Sequence, residues 1–142
     1  MAETVATTRT EYVTQAQRWM LLAGRGLLGL YFIVPGISKI AGWTQMSEYM
    51  AAHGVPLIPL LLALTIVIQV GGGVALLAGF RTHLMAFLLA GLTLMISLFM
   101  HDFWGMEEGQ ARAHETQNFI KNMAITAGLL YVAGAHLRQP GY

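Results

Sequence analysis

The chain has 142 residues, of which 56% are hydrophobic and 11% are charged, and its net charge is +1. Because ordinary soluble domains carry about 25% charged residues, this composition, with a mean hydropathy of +0.57, indicates an integral membrane protein. The near-neutral charge gives no basic surface for nucleic acid, and the lack of cysteine excludes a disulfide, a thiol redox couple, an iron–sulfur ligand and covalently attached haem.

The N-terminal part of the sequence predicts a polar tail followed by a first membrane helix. Residues 1–18 lack the apolar core of a signal peptide, so we expect no cleaved leader. Residues 19–40 predict the first span. Its Arg25 and Lys39 are about 21 Å apart along a helix, which fits a bilayer core of about 30 Å when the two cations point towards opposite membrane faces.

A short amphipathic helix is expected in the membrane interface between the first and second spans. Trp43, Met46, Tyr49 and Met50 recur at intervals of three and four, with polar residues between them. Gly and Pro follow shortly afterwards and are expected to end this segment. It is too polar to cross the membrane.

The second and third spans are predicted to pack as an antiparallel pair. The second, 57–79, has no charged residue and one strongly polar residue, Gln69. Gly71, Ala75 and Gly79 follow at intervals of four, a pattern typical of a tightly packed membrane helix face. Because only four residues, 80–83, form the next turn, the third span at 84–103 is expected to run back beside the second.

A fourth span at 118–137 is predicted after a polar loop at 104–117. The sequence thus indicates an all-α integral membrane four-helix bundle, forming one domain from residue 19 to residue 142. With four spans, the N-terminal tail, the 80–83 turn and the C-terminal tail lie on one side. That side carries five of the eight cations, which favours both termini in the cytoplasm.

The order and spacing of several short segments resemble the DoxX family of small four-helix bacterial membrane proteins. The segments are RGLLG at 25–29, GISK at 36–39, YMAAHGVP at 49–56, QVGG at 69–72, LAGFRT at 77–82, HDFW at 101–104 and NFIKN at 118–122. Together they extend over nearly the whole chain, from about residue 19 to residue 136.

Members of this family take their name from a subunit associated with a terminal quinol oxidase. The resemblance implies a multi-pass protein of the bacterial inner membrane that serves as an accessory or quinone-associated subunit of an oxidoreductase complex. It implies contact with the lipid bilayer and with other membrane subunits or further copies of this chain. Many relatives carry Glu where this chain has Gln69, so a charge found there in the family is absent here.

The first candidate ligand site pairs Arg25 with Gln69. Antiparallel spans would bring the long side chain of Arg25 towards the depth of Gln69 inside the bundle. The two residues would then form a polar pocket for a quinone carbonyl or another polar head group, since polar groups within a membrane are functional hypotheses by default. The alternative is a structural interhelical hydrogen bond, with Arg25 extending towards the lipid head groups.

The second candidate site gathers polar residues at the ends of spans one, three and four, which should share one depth. They are Lys39, His101, Asp102, Asn118, Lys121 and Asn122. An Asp beside two Lys would stay ionised, and His101 would relay a proton near neutral pH. This suits quinol oxidation or an anionic ligand. The alternative is an interfacial charge network that anchors the helix ends.

We predict neither a metal site nor an intrinsic cofactor. The His and carboxylate groups that a metal would need lack the spacing of a metal-binding motif. They are His101, Glu107, Glu108, His114 and Glu115. His83 and His136 lie near one membrane face, and we interpret them as interfacial residues rather than haem ligands.

Two functions from different classes follow. One is a quinone-associated redox subunit that uses Arg25, Gln69, His101 and Lys121 and is not catalytic alone. The other is a non-catalytic scaffold whose glycine faces bind partner helices. A small transporter is a third alternative, which four spans without an internal repeat disfavour.

Overall fold

The computed structural model of the chain describes residues 14–137, and every long element in it is a helix. The helices are α1 (Gln15–Ala41), α2 (Trp43–Ala52), α3 (Ile58–Ala78), α4 (Thr82–Met100) and α5 (Gln110–Leu137), with one 3-10 turn at Phe103–Gly105. The all-α class and the short helix between the first two long helices are confirmed. Most of the predicted polar tail, residues 1–13, and the C-terminal residues 138–142 lie outside the described residues.

Three segments of the described chain are long and apolar enough to cross a membrane. They are Gln15–Ala41, Ile58–Ala78 and Thr82–Gly105, with mean hydropathies of 1.6, 2.4 and 2.1. These segments contain α1, α3 and α4, so the chain is a helical membrane protein. α5 is longer than any of them but is not in this set, because its first half is polar. That α5 crosses the membrane stays a prediction.

The polar loop predicted at 104–117 is shorter in the structure, because α5 begins at Gln110. The polar first turns of α5 make ordinary helical contacts: the Thr116 hydroxyl donates to the Arg112 carbonyl at 2.8 Å. Arg112 also lies 3.9 Å from the Glu108 carboxylate, four residues earlier. Hydropathy reports solubility in the bilayer rather than helix formation, so a polar helix was read as a loop.

The ends of α1 and α3 explain where the first two spans begin and end. Thr14 caps α1 through a reciprocal pair of hydrogen bonds with Gln17, so the helix starts before the apolar stretch. Gly79 ends α3 in a left-handed conformation, with φ +73°, and the Phe80 N–H donates to the Ala75 carbonyl at 2.8 Å. Only three residues join α3 to α4, as expected for neighbouring helices.

The helices pack in chain order, with α1 along α3, α3 along α4 and α4 along α5. Two buried apolar clusters fill the interior. Near the turn between α3 and α4 the cluster contains Phe32, Leu76, Ala86, Leu89, Ala90, Leu129 and Ala133. Near α2 it contains Met50, Leu62, Ile66 and Met100. We call the second region the α2 end of the bundle.

Gly29 and Gly73 make the closest helix crossing, between α1 and α3. A Cβ built on either residue would lie 2.7 Å from the carbonyl oxygen of the other, which no side chain tolerates. Gly71 is exposed, and a Cβ there would meet no described atom within 4 Å, so the packed helix face predicted at this residue does not lie between helices of the described chain. Ala75 is only partly buried, and Gly79 serves as a helix cap. Each residue along a helix turns the side chain by about 100°, and the buried glycines of α3 are the next two, Gly72 and Gly73.

Candidate functional site

A cavity of about 300 Å³ lies at the α2 end, and all five helices contribute to its walls. Its apolar walls include Phe32, Pro35, Met46, Met50, Leu62, Ile96 and Met100. Its polar lining consists of Tyr31, Lys39, Tyr49, Thr65, Gln69, Thr93, His101, Asn118, Lys121 and Asn122. An apolar cavity with a few convergent polar groups is the usual form of a small-molecule site.

The structure brings together most of the predicted ligand-binding residues. Five of the seven, together with Asn118, line this one cavity. The five are Lys39, Gln69, His101, Lys121 and Asn122. The two candidate groups of the sequence are therefore not separate, because Gln69 belongs with the residues at the helix ends. Arg25 and Asp102 are absent from the lining.

Lys39 and Lys121 give the cavity two cations, one from α1 and one from α5. The Lys39 ammonium donates to the Pro35 carbonyl at 3.4 Å, and the Lys121 ammonium donates to Asn118 Oδ1 at 3.3 Å. Among residues 14–137, neither lysine forms a salt bridge to a carboxylate. Each ammonium has three protons to donate, so both retain donors for a ligand.

Gln69 contributes a hydrogen-bond acceptor for which the described residues supply no donor. The residue is 6% exposed, and its Oε1 atom has no hydrogen-bond partner in the described part of the chain. Its Cβ packs against Gly36 of α1, at 3.2 Å from the position where a Cβ of that glycine would be. A buried amide oxygen without a partner costs free energy. Gln69 lines the cavity, and a rotation of its amide would bring this buried oxygen to a ligand hydroxyl.

His101 is held at the rim of the cavity by a residue that the sequence assigned to a loop. Its Nδ1 lies 2.6 Å from Glu115 Oε2, and the two side chains are only 16% and 18% exposed. This leaves Nε2 as the other ring nitrogen for the cavity. Because Glu115 is on α5, the pair also joins the end of α4 to the first half of α5.

Tyr49 is a lining residue that the site prediction omitted. Its hydroxyl donates to the Met100 carbonyl at 3.2 Å, which ties α2 to the end of α4. Burial, and then the charges of Glu115 and Asp102, raise the pKa of this phenol above its usual value of 10.0. The hydroxyl therefore remains a donor over the whole physiological pH range.

Asp102 faces the rim rather than the cavity. Its carboxylate lies 3.8 Å from Nε2 of His53, the residue that follows α2. The Tyr49 and His53 rings lie 4.5 Å apart between centroids. The predicted contact between Asp102 and two lysines is therefore replaced by a pairing with an imidazole.

Arg25 does not meet Gln69. Its guanidinium lies against Gly79, where a Cβ would be 2.6 Å from Nη1. Gly79 is ten residues from Gln69, about 15 Å along the helix. Arg25 thus covers the C-terminal end of α3, where a cation favourably meets the last carbonyl groups.

The described residues contain no group of three or more His, Asp and Glu side chains that could hold a metal ion. His136 Nδ1 bonds to the Val132 carbonyl, at 2.9 Å in its own helix.

The comparisons with known proteins agree with this architecture. The DoxX family model matches residues 20–102. The chain is 35% identical over 113 residues to the inner membrane protein YqjF of Escherichia coli K12, covering 80% of this chain and 81% of that protein. It is 32% identical over 114 residues to the inner membrane protein YphA of the same strain, with coverage of 80% and 81%. No solved structure matches the chain.

Proposed function

The chain belongs to the DoxX family, and from its cavity we propose that it is a quinone-binding accessory subunit of an inner-membrane oxidoreductase complex. One observation carries the proposal: an apolar-walled cavity is lined by two lysines and by Gln69, and within residues 14–137 the lysines have no carboxylate partner and the Gln69 amide oxygen has no hydrogen-bond partner.

The donor and acceptor groups of the cavity fit the ring of a quinone. A quinone ring has two carbonyl oxygens that accept hydrogen bonds, and Lys39 on α1 and Lys121 on α5 offer donors. The reduced ring has hydroxyl groups that donate, and Gln69 Oε1 is an acceptor with no partner in the described part of the chain. The flat apolar ring of a quinone suits the Met and Leu side chains that line the cavity.

A bound quinone would supply two-electron redox chemistry, and the residues of this chain would position it. Lys39 and Lys121 would hold the two carbonyl oxygens, while Gln69 would select the hydroxyl of the reduced form. His101, with Nδ1 held by Glu115, would offer Nε2 as a proton acceptor at the rim. The chain has no cysteine for a thiol or cluster redox centre, so the electrons would pass to or from a partner subunit.

Purification in nanodiscs from native membranes tests this proposal. We expect mass spectrometry to find a quinone in stoichiometric amount, together with a redox partner. Lys121→Met should lose the quinone, whereas Arg18→Met, at an exposed position of α1 away from the cavity, should keep it. A preparation with partners but without any quinone would contradict the proposal.

A scaffold function is the second candidate, and the exposed small residues of α3 favour it. Gly71 is open on its outer side, and Ala75 is only partly buried on the next turn. Small residues allow close approach of a partner helix. If the protein is only a scaffold, Gly71→Leu will release the partner while replacements of Lys121 and His101 have no effect.

A further inference from the structure

A second recess adjoins the cavity on the outside of the bundle. It is a groove of about 550 Å³ between α1 and α2. Pro35, Lys39, Met46 and Tyr49 line both the groove and the cavity. These four side chains, two from each helix, therefore form the wall between the two spaces.

The groove is suited to a hydrocarbon chain. Val34 and Pro35 give it an apolar wall on α1, and the flexible Met46 side chain lies on the α2 side. The Ser38 hydroxyl is already satisfied, because it donates to the Val34 carbonyl at 2.9 Å. Close contacts between α1 and α2 are few compared with those of the other neighbouring helices.

The cavity is closed on the side between α1 and α5. The Tyr31 hydroxyl donates to Asn122 Oδ1 at 3.4 Å across that side. Phe32, the next residue, is 2% exposed and packs in the apolar cluster that contains Leu129 of α5. A chain leaving the cavity here would have to displace a hydrogen bond and a buried aromatic ring.

We propose that the groove is the passage for the tail of a membrane-borne quinone whose ring lies in the cavity. This deepens the proposed function and rests on it, by naming the ligand class as long-tailed quinones taken from the leaflet at the α2 end. A cavity of about 300 Å³ has no room for a long tail beside the ring. A tail gains little by moving from lipid to protein, since both are apolar, so the site must leave an opening for it.

Blocking the groove without touching the cavity tests this inference. Val34→Trp places a large ring in the groove, whereas Ile37→Trp is a matched control on the same exposed surface of α1 that lines neither space. Binding of two probes is measured in nanodiscs: decyl-ubiquinone and the same quinone ring without a tail. The readout is equilibrium binding rather than turnover.

We expect Val34→Trp to weaken the binding of decyl-ubiquinone by about tenfold, the cost of forcing a bulky group into an occupied space. The tail-less ring should bind as it does to the unmodified protein, and Ile37→Trp should leave both probes unaffected. Equal binding of decyl-ubiquinone to Val34→Trp and to the unmodified protein would overturn the inference but not the proposed function. Loss of both probes in Val34→Trp would also overturn it, as would failure of decyl-ubiquinone alone to bind the unmodified protein. Failure of both probes to bind the unmodified protein would overturn the proposed function as well.

Discussion

His101 Nδ1 and Glu115 Oε2 lie 2.6 Å apart, and this bond joins the end of α4 to α5 at the rim of the cavity. Both side chains are largely buried, so the bond is shielded from the solvent that weakens surface pairs. The contact holds the imidazole ring in a fixed position relative to α5, which forms one wall of the cavity. Stability and ligand binding should therefore both depend on it.

Glu115→Gln should lower the Tm by about 3–6 °C, because it removes the charge from a short, largely buried hydrogen bond. Glu108→Gln is the matched control: its carboxylate is exposed and lies 3.9 Å from Arg112, so its Tm should stay unchanged. Thermal unfolding of both variants in the same detergent measures the difference. If Glu115→Gln and Glu108→Gln had equal Tm values, the contact between His101 and Glu115 would not stabilise the bundle.

Gln69→Leu should raise the stability of the ligand-free protein while removing its response to a quinone. The change deletes a buried amide oxygen that has no partner, and relieving such a group is worth about 1–2 kcal/mol. Thermal unfolding with and without decyl-ubiquinone gives both quantities, since a ligand that binds the folded state raises the Tm.

Thr126→Val provides the control for that experiment. The Thr126 hydroxyl is the other unpaired buried side-chain group among the described residues, and it does not line the cavity. The Thr126→Val variant should be stabilised in the same way, and decyl-ubiquinone should raise its Tm as much as it raises that of the unmodified protein. If Gln69→Leu also kept its response, the amide would have no part in binding.

Gly73→Leu should prevent a native bundle, whereas Gly71→Leu should fold normally. A Cβ at Gly73 would lie 2.7 Å from the Gly29 carbonyl, but a Cβ at Gly71 meets nothing within 4 Å. Overpacking of this kind typically costs about 1–3 kcal/mol, and more where backbone must move. Size-exclusion chromatography of the two variants, two residues apart on one helix, reports the yield of folded protein. A well-folded Gly73→Leu would refute the close crossing of α1 and α3.

The orientation of the chain in the membrane is testable because it contains no cysteine. If both termini are cytoplasmic, Glu107→Cys should react with a membrane-impermeant maleimide in intact cells. His83→Cys should react only after the membrane is opened. Both positions are exposed. The reverse pattern would show that both termini lie outside the cytoplasm and that the cavity is at the cytoplasmic face of the membrane.

Much of this architecture was predictable from hydropathy and spacing. Residues at the ends of antiparallel helices share a depth, which predicts that Lys39, His101 and Lys121 lie near one another, and all three line one cavity. The lengths of the apolar stretches are enough for that expectation, without any knowledge of the packing.

The remaining features could not be predicted from hydropathy. It does not report how a helix is rotated about its axis or whether a polar segment is helical. The choice between Gly71 and Gly73 is a choice of helix face, and both positions lie in one run of small residues. Glu115 was missed because a polar segment was taken as a loop, although it is helical from Gln110 onward. Arg25 was paired with Gln69 by depth, whereas its guanidinium lies at Gly79.

Photo-crosslinking with an azido-quinone in nanodiscs tests the central claim most directly. The account predicts that labelled peptides come from the cavity lining, above all from Met46, Tyr49 and Met50 of α2. Excess decyl-ubiquinone should abolish this labelling, and Lys39→Met should reduce it by about tenfold, as expected for a lost hydrogen bond from a charged donor. Labelling spread over lipid-facing residues such as Phe87, unaffected by competitor, would contradict a quinone site in this cavity.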